Sequence, residues 1–285
     1  MSNMELKAKI NKIIKFSNVD GPGNRMAIFF QGCNFNCEYC HNPETINICK
    51  ECYKCVETCP TKALEVSNSK IIWKKNLCCE CDQCTKICGF DSSPKVNDYT
   101  VEDLLVEISK VKAFIKGITV SGGESTLQYK FVAKLFSEVK KKWPNLTCFV
   151  DTNGSLNLDD IEYKELVENT DFFMLDVKAW DNSEHLLLTE KEVNPVIKNL
   201  YFLRDIGKLF EVRSVIVANR LNNRLTVENV AKAIFNKDIR YKIIKYRHFG
   251  VREEMKSNLF SPTSIELEEL EKLAQKNGAK NTLII

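Results

Sequence analysis

From residue 97 onward, short apolar runs alternate with stretches whose apolar residues recur every three or four positions. The runs GITVSGGE, LTCFVDTNG, DFFMLDVKAW, LFEVRSVIVA and RYKIIKY read as buried strands. Upstream, MAIFFQG has the same character and supplies the first strand. The intervening stretches have helical spacing. They are YTVEDLLVEISKVKAFI with Thr100 as N-cap, QYKFVAKLFSEVKKKW, DIEYKELVEN, VNPVIKNLYFLRDIG closed by Gly207, TVENVAKAIFN and SIELEELEKLAQKNG, with NTLII last. The lysine triplet at 140–142 reads as the solvated end of the second helix. Strands alternating with helices imply parallel strands joined by crossovers. Six such units predict an α/β fold, a partial (β/α)6 barrel of TIM type.

The polar and glycine residues of QGC, SGGE, DTNG and DVK fall at the C-terminal ends of these strands, the end that carries the active site in such barrels. Residues 46–95 break the texture and look inserted. The predicted organisation is therefore a barrel from residues 1–45 and 96–285 with an insert at 46–95. Inside the insert, TKALEVSNSKIIWKKNL predicts a short helix followed by a hairpin.

Composition narrows the function. The chain has 285 residues, 44% hydrophobic and 28% charged, with a formal net charge of +3. That balance gives no reason to expect a nucleic-acid partner. No apolar run approaches the ~20 residues that span a bilayer. The N-terminus has no continuous apolar segment of signal type, so a cytoplasmic protein is expected. Thirteen cysteines are the strongest compositional signal, and twelve of them lie between residues 33 and 88. Thiols stay reduced in the cytosol, so this clustering points to metal rather than disulfides. Cys148, in an apolar strand, is expected to be a buried core residue.

Within the insert one pattern occurs twice: Cys49, Cys52, Cys55, Cys59 and then Cys78, Cys81, Cys84, Cys88. This is the C-x2-C-x2-C-x3-C run of bacterial two-cluster ferredoxins, in which the fourth cysteine of each run serves the other cluster. It assigns Cys49, Cys52, Cys55 and Cys88 to one [4Fe–4S] cluster, and Cys59, Cys78, Cys81 and Cys84 to a second. Zinc ribbons use separated C-x2-C pairs instead. Cys79 is left spare. Pro60 follows Cys59 as in the usual run, whereas Gly89 follows Cys88.

Ahead of the insert, Cys33, Cys37 and Cys40 form C-x3-C-x2-C, three thiolates where a closed site needs four. A missing ligand marks a metal site open to substrate. His41, adjoining Cys40, is poorly placed to fill the gap. This spacing, with the aromatic Tyr39 before the last cysteine, resembles the radical S-adenosylmethionine signature. The ordered series DGPGNR, QGC, CHNP, SGGE, DTNG, MLDVK and VRSVIV resembles the glycyl radical enzyme activating enzymes. The likeness runs from about residue 11 to the end and is nearest to the YjjW-type activases.

The resemblance implies an oxidoreductase with three [4Fe–4S] clusters. The triad cluster would bind S-adenosylmethionine and cleave it reductively to methionine and a 5′-deoxyadenosyl radical. That radical would take hydrogen from a backbone glycine of a partner glycyl radical enzyme. The resemblance further implies a flavodoxin or ferredoxin as electron donor, a monomer, and an insert that relays electrons or docks the partner. It places Gly122, Gly123 and Glu124 at the methionine ammonium, Asn153 near the ribose or carboxylate, and Lys178 and Arg213 on the carboxylate and ribose side. It places a monovalent cation, Na+ or K+, on the Asp151 and Asp176 side chains and the Thr152 and Met174 carbonyls. Asp20 would help to seat the partner's glycine segment. One motif departs from the family: YRHFG puts Arg247 where relatives have histidine and His248 one place later, on the opposite face of a strand. Two alternatives stay open on sequence: a radical S-adenosylmethionine enzyme acting on a small molecule or RNA, and a non-catalytic iron–sulfur electron carrier.

Overall fold

The computed structural model describes residues 6–285. In chain order its strands are β1 (Lys7–Ser17), β2 (Arg25–Phe30), β3 (Leu64–Ser67), β4 (Lys70–Trp73), β5 (Asn97–Thr100), β6 (Gly117–Gly122), β7 (Thr147–Thr152), β8 (Phe172–Asp176), β9 (Leu209–Ile216), β10 (Arg240–Lys245) and β11 (Asn281–Ile284). Its helices are α1 (Lys54–Glu57), α2 (Gln83–Lys86), α3 (Val101–Ser109), α4 (Tyr129–Lys142), α5 (Lys164–Asn169), α6 (Asn182–Thr189), α7 (Asn194–Asp205), α8 (Asn223–Ala233), α9 (Glu253–Lys256) and α10 (Ser264–Lys276).

Nine strands form one sheet in the order β11-β10-β9-β8-β7-β6-β2-β1-β5. From β2 to β11 every neighbour is parallel. Strand order there follows chain order, so the crossovers all wind in one sense and the carboxyl ends of the strands line a single edge. The sheet does not close on itself among the described residues: β11 and β5 are its two ends.

The six expected strands and the last run, NTLII, are all present. So are the expected helices: Thr100 caps α3 in a reciprocal box with Asp103, and Lys140–Lys142 end α4. Gly207, at φ +70°, closes α7. The core is continuous along the sheet and buries Cys148 completely. Six elements were not expected: the antiparallel strands β1 and β5, and the helices α1, α2, α6 and α9. β1 joins β2 to β5 and buries Ala8 and Ile10, while much of its remainder is exposed.

In the insert the expected hairpin is β3–β4, turned at Asn68 and Ser69, both with positive φ. The short helix expected before it is absent. Pro60 and Thr61 form a turn closed by Lys62 N donating to Cys59 O at 3.2 Å, and the chain leads on into β3 through Lys62 at φ 51°. Pro60 fits that turn, because its fixed φ starts a bend without committing to a helix.

Candidate iron–sulfur and cofactor site

Cys33 follows directly on Gln31 and Gly32 at the carboxyl end of β2. The backbone of that exit is pinned on one side by the chain that follows: Gly32 N donates to Thr45 O at 2.8 Å and Cys33 N to Ile46 O at 2.8 Å. On the other side it is pressed by Gly122 and Gly123 at the end of β6. A Cβ on Gly122 would lie 2.2 Å from Phe30 N, and one on Gly123 would lie 2.2 Å from Gly32 O. The two glycines are required by the chain's own backbone, which lets β6 lie against the loop that carries the triad.

Glu124 is buried, and burial raises its carboxyl above the usual carboxylate range. Its Oε1 accepts from Thr126 N (3.1 Å), Thr126 Oγ1 (2.6 Å) and Thr152 Oγ1 (2.8 Å), and its Oε2 accepts from Asn153 N (2.7 Å). The carboxylate thus ties the end of β6 to the end of β7. A carboxylate has about four lone-pair sites, and Oε2 uses only one bond here, so one acceptor position is left for a cationic ligand. Asn153 Nδ2 donates to Asn34 Oδ1 at 3.2 Å and lies 3.8 Å from Cys33 Sγ.

Of the triad, Cys37 is buried and Cys33 and Cys40 are half-buried. Burial pushes the Cys33 and Cys37 thiols up to about 12, so only a metal would hold these sulfurs as thiolates at neutral pH. Phe35 N donates to Cys33 Sγ at 3.4 Å, the kind of contact that tunes a cluster's potential. His41 Nε2 lies 3.1 Å from Arg247 O, and a Cβ on Gly250 would meet His41 O at 2.2 Å. His41 therefore ties the loop to the exit of β10. Tyr39 is buried with no partner for its hydroxyl, and Lys178 Nζ stands 5.8 Å from its ring centre.

The sheet carries a set of buried and half-buried charges. Arg213 Nη1 donates to both carboxylate oxygens of Asp151 at 2.9 Å, and Arg213 Nε to Glu211 Oε1 at 2.6 Å. Glu211, fully buried, also meets Lys242 at 3.1 Å and Arg240 at 3.5 Å. Lys178 Nζ donates to Asp176 Oδ2 at 2.8 Å. Burial alone would lower the Lys178 ammonium, but Asp176, Tyr39 and Cys37 hold it well above its usual range. For Arg213 likewise, Asp151 and Glu211 outweigh burial and raise it. Two carboxylates facing one anionic ligand gave the sequence-level reason for a monovalent cation. Here Asp151 and Asp176 are each already paired with a basic side chain. Glu211 escaped the sequence reading, although strand alternation puts it on the same face as Arg213.

Asp20 accepts from Ser17 Oγ, and its carbonyl accepts from Thr119 Oγ1 at 2.6 Å. Its charge acts on Asp151, which places it toward the same interior. Behind it Arg25, completely buried, donates to Thr119 Oγ1, Thr147 Oγ1, Ile118 O and Thr147 O and lies 4.1 Å over the Phe149 ring. The arginine of DGPGNR is thus the peg that fixes the loop. Arg247 and His248 are both exposed, and the His248 ring meets Tyr246 edge-on at 5.2 Å.

The insert repeats in three dimensions. Glu51, Tyr53 and Lys62 have positive φ, as do Glu80, Asp82 and Asp91, each twenty-nine residues further on. α1 and α2 sit at matching places. Left-handed residues at such turns aim backbone N–H groups into a concavity that suits an anion such as a thiolate-bound cluster. Two small pockets lie here. Cys59, Cys78, Cys79 and Cys81 line the first, Cys49, Cys52, Cys55 and Cys88 line the second, and Cys84 lines both. Each run thus sends its fourth cysteine to the other run's cavity. None of the thirteen cysteines is in a disulfide. Among the described residues no three His, Cys, Asp or Glu side chains converge at the spacing of a single ion, and no helix is long and apolar enough to cross a membrane.

This geometry can be set beside known proteins. The family model described as 4Fe-4S single cluster domain matches residues 19–192. The trans-4-hydroxy-L-proline dehydratase activating enzyme of Clostridioides difficile is 28% identical, over 91% of this chain and 93% of that protein. The pyruvate formate-lyase-activating enzyme of Staphylococcus epidermidis is 28% identical, over 92% and 89%. Among solved structures, QueE from Escherichia coli superposes with a TM-score of 0.54 at 13% identity, covering 98% of this chain and 94% of that one, a likeness of fold. The chain belongs to the 4Fe-4S single cluster domain family and is similar over nearly its whole length to glycyl-radical enzyme activating enzymes.

Proposed function

We propose that the protein is an oxidoreductase that activates a glycyl radical enzyme by taking a hydrogen atom from a backbone glycine of that partner. The observation that carries this reading is the cysteine triad. It has three cysteines and no fourth protein ligand in its loop, and it stands at the carboxyl ends of the parallel strands amid GGE, DTN and DVK. The chain also matches activating enzymes over nearly its whole length.

Cys33, Cys37 and Cys40 would hold a [4Fe–4S] cluster which, once reduced by a donor and with S-adenosylmethionine bound, would supply the electron for reductive cleavage to methionine and a 5′-deoxyadenosyl radical. The chain's own residues bind and orient. Gly122 and Gly123 bring the end of β6 close to the loop, and Glu124 Oε2 keeps one acceptor position for the methionine ammonium. Lys178 and Arg213 supply positive charge toward the carboxylate and ribose side. Asn153 stands beside Cys33, and the hydroxyl of Tyr39 is left free of internal partners. His248 and Arg247 lie at the exposed exit of β10, where closure over a ligand would be needed to engage either. A Na+ or K+ ion on Asp151, Thr152, Met174 and Asp176 would have to replace the pairing with Arg213 and Lys178. Asp20 would seat the partner's glycine segment.

In the insert, the exchange of fourth cysteines between the two cavities supports two further [4Fe–4S] clusters. The first would sit on Cys49, Cys52, Cys55 and Cys88, and the second on Cys59, Cys78, Cys81 and Cys84, fed by a flavodoxin or ferredoxin. Anaerobic reconstitution with iron, sulfide, S-adenosylmethionine and dithionite tests the central claim. The expected product is 5′-deoxyadenosine, with a glycyl radical signal when a partner is added. No 5′-deoxyadenosine above a Cys37→Ala control would sink the reading. Turnover of a small molecule or RNA with no protein substrate would redirect it.

A further inference from the structure

Among the residues the proposed reaction leaves unused, Arg252 has the most unusual surroundings. It lies just before α9, far from the triad in sequence, and its side chain is only 9% exposed. Nη1 donates to Asn36 Oδ1 at 2.8 Å and to Asp91 Oδ2 at 2.9 Å, and Nη2 donates to Cys37 O at 2.9 Å. Asn36 and Cys37 belong to the triad loop. Asp91 belongs to the insert, three residues after Cys88, at one of the repeated left-handed turns. One guanidinium therefore grips both cysteine regions.

The backbone around it continues the joint. Asn47 N donates to Asp91 O at 3.0 Å, Asn47 Nδ2 to Phe90 O at 3.1 Å, and Gln31 Nε2 to Asn47 O at 2.6 Å. Gln31 begins the exit of β2, so the joint runs from the sheet through Asn47 to the end of the insert. A planar fork with fixed donor directions suits three acceptors on two segments, which a flexible ammonium matches poorly. Its charge is held against the backbone of Cys37, beside the triad.

We propose that Arg252 is a positioning residue that locks the insert onto the triad loop, and that its buried charge favours the reduced state of whatever the triad holds. The locking half stands on contacts within the chain. The second half rests on the proposed activase reading, since an added electron is added negative charge beside a fixed cation.

Hydrogen exchange of the reconstituted protein and an anaerobic redox titration followed by electron paramagnetic resonance test the two halves together. Three variants serve: Arg252→Met, Arg252→Lys and Asp91→Asn. Asn is at home in a left-handed turn, so Asp91→Asn takes the charge from the insert's half of the grip and leaves a weaker neutral acceptor, at low risk to the fold. Exchange at the Asn47 amide should speed about tenfold or more in Arg252→Met and severalfold in Asp91→Asn. The triad signal is the one altered by S-adenosylmethionine. Its midpoint should move to more negative potential in Arg252→Met and stay near the parent value in Arg252→Lys, which keeps the charge. Unchanged Asn47 exchange in both Arg252→Met and Asp91→Asn overturns the lock. An unchanged midpoint in Arg252→Met, or an equal shift in Arg252→Lys, overturns the electrostatic role. A parent protein with no signal altered by S-adenosylmethionine instead defeats the activase reading, and the exchange arm still decides the lock.

Discussion

The two cysteine regions are built in opposite ways. The triad loop is held from outside itself. The end of β2, two glycines of β6, the Glu124 bridge to β7, His41 on the exit of β10 and Arg252 all fix it, and every one of these contacts is long-range. The insert is held from within. Its cysteines sit on two short helices and a set of left-handed turns repeated at an interval of twenty-nine, with a four-residue hairpin strand on either side of the turn at Asn68 and Ser69. It contributes little to the core: Ile46, Cys55, Ala63 and Leu64 are its buried apolar side chains. A site that must hold a substrate in register draws rigidity from a scaffold. A closed cage needs only short-range backbone geometry and metal.

The sharpest way to break this contrast is to remove one cysteine from each region. Cys37→Ala should abolish 5′-deoxyadenosine formation with any reductant, a loss of at least about a hundredfold. Cys52→Ala should keep most of the product when dithionite reduces the triad directly and lose it when flavodoxin or ferredoxin is the donor. Equal losses from both with dithionite would show that the insert serves the triad as structure, not as a relay.

Metal removal comes next in size. Chelation under anaerobic reducing conditions should unfold residues 46–95, because ligand binding there takes the place of a core. Residues 96–285 should keep their cooperative transition. Limited proteolysis reads this directly. Cuts confined to the insert are expected, and an insert as resistant as the sheet would mean that its fold does not depend on iron.

A smaller effect probes the scaffold side. Gly123→Ala sets a Cβ 2.2 Å from Gly32 O, backbone against backbone. Overpacking of this kind should cost about 2–3 kcal/mol. Gly89→Ala, with nothing near its Cβ, should cost little. Chemical denaturation of the two variants gives the comparison. Matching midpoints would mean that the triad loop moves away from β6 freely.

How much of this was legible in the sequence follows the same division. The buried parallel strands announced themselves as short apolar runs, and the insert's repeat was visible because all of its cysteines but Cys79 have a counterpart at constant offset. β1 was missed because its lysines and asparagine interrupt the apolar positions, as suits a strand that is exposed along much of one face. Glu211 was missed because a lone acid in an apolar strand has meaning only once Arg213, Arg240 and Lys242 are seen converging on it. Arg252 was beyond reach, since its partners lie at residues 36, 37 and 91 and no local pattern predicts so distant a contact. The glycines of SGGE were recognised as needed for close approach. The structure adds that the close neighbour is the chain's own backbone at Phe30 and Gly32.

The smallest expected effect comes from a histidine. The chain has three, His41, His185 and His248, and none lies in the insert. His185 is buried beneath the triad loop, edge-on to Phe35 at 5.5 Å. Its Nδ1 donates to Lys191 O at 2.7 Å, and Nε2 has no partner. Burial lowers its pKa below 6.5; the Lys191 carbonyl opposes that shift, and Lys178 adds to it. The folded protein therefore refuses a proton that the unfolded chain accepts. Stability due to His185 is flat above about pH 7 and is lost as the pH falls through 6.5. The slope is at most about 1.4 kcal/mol per pH unit. Denaturant midpoints at pH 5.5 and 7.5 for the parent and His185→Gln isolate this term, because acid effects on the cysteine sites are common to both. The parent should lose more stability between the two pH values than the variant. Parallel losses would mean that His185 is solvated well enough to titrate in place, and that the packing under the triad loop is looser than its burial implies.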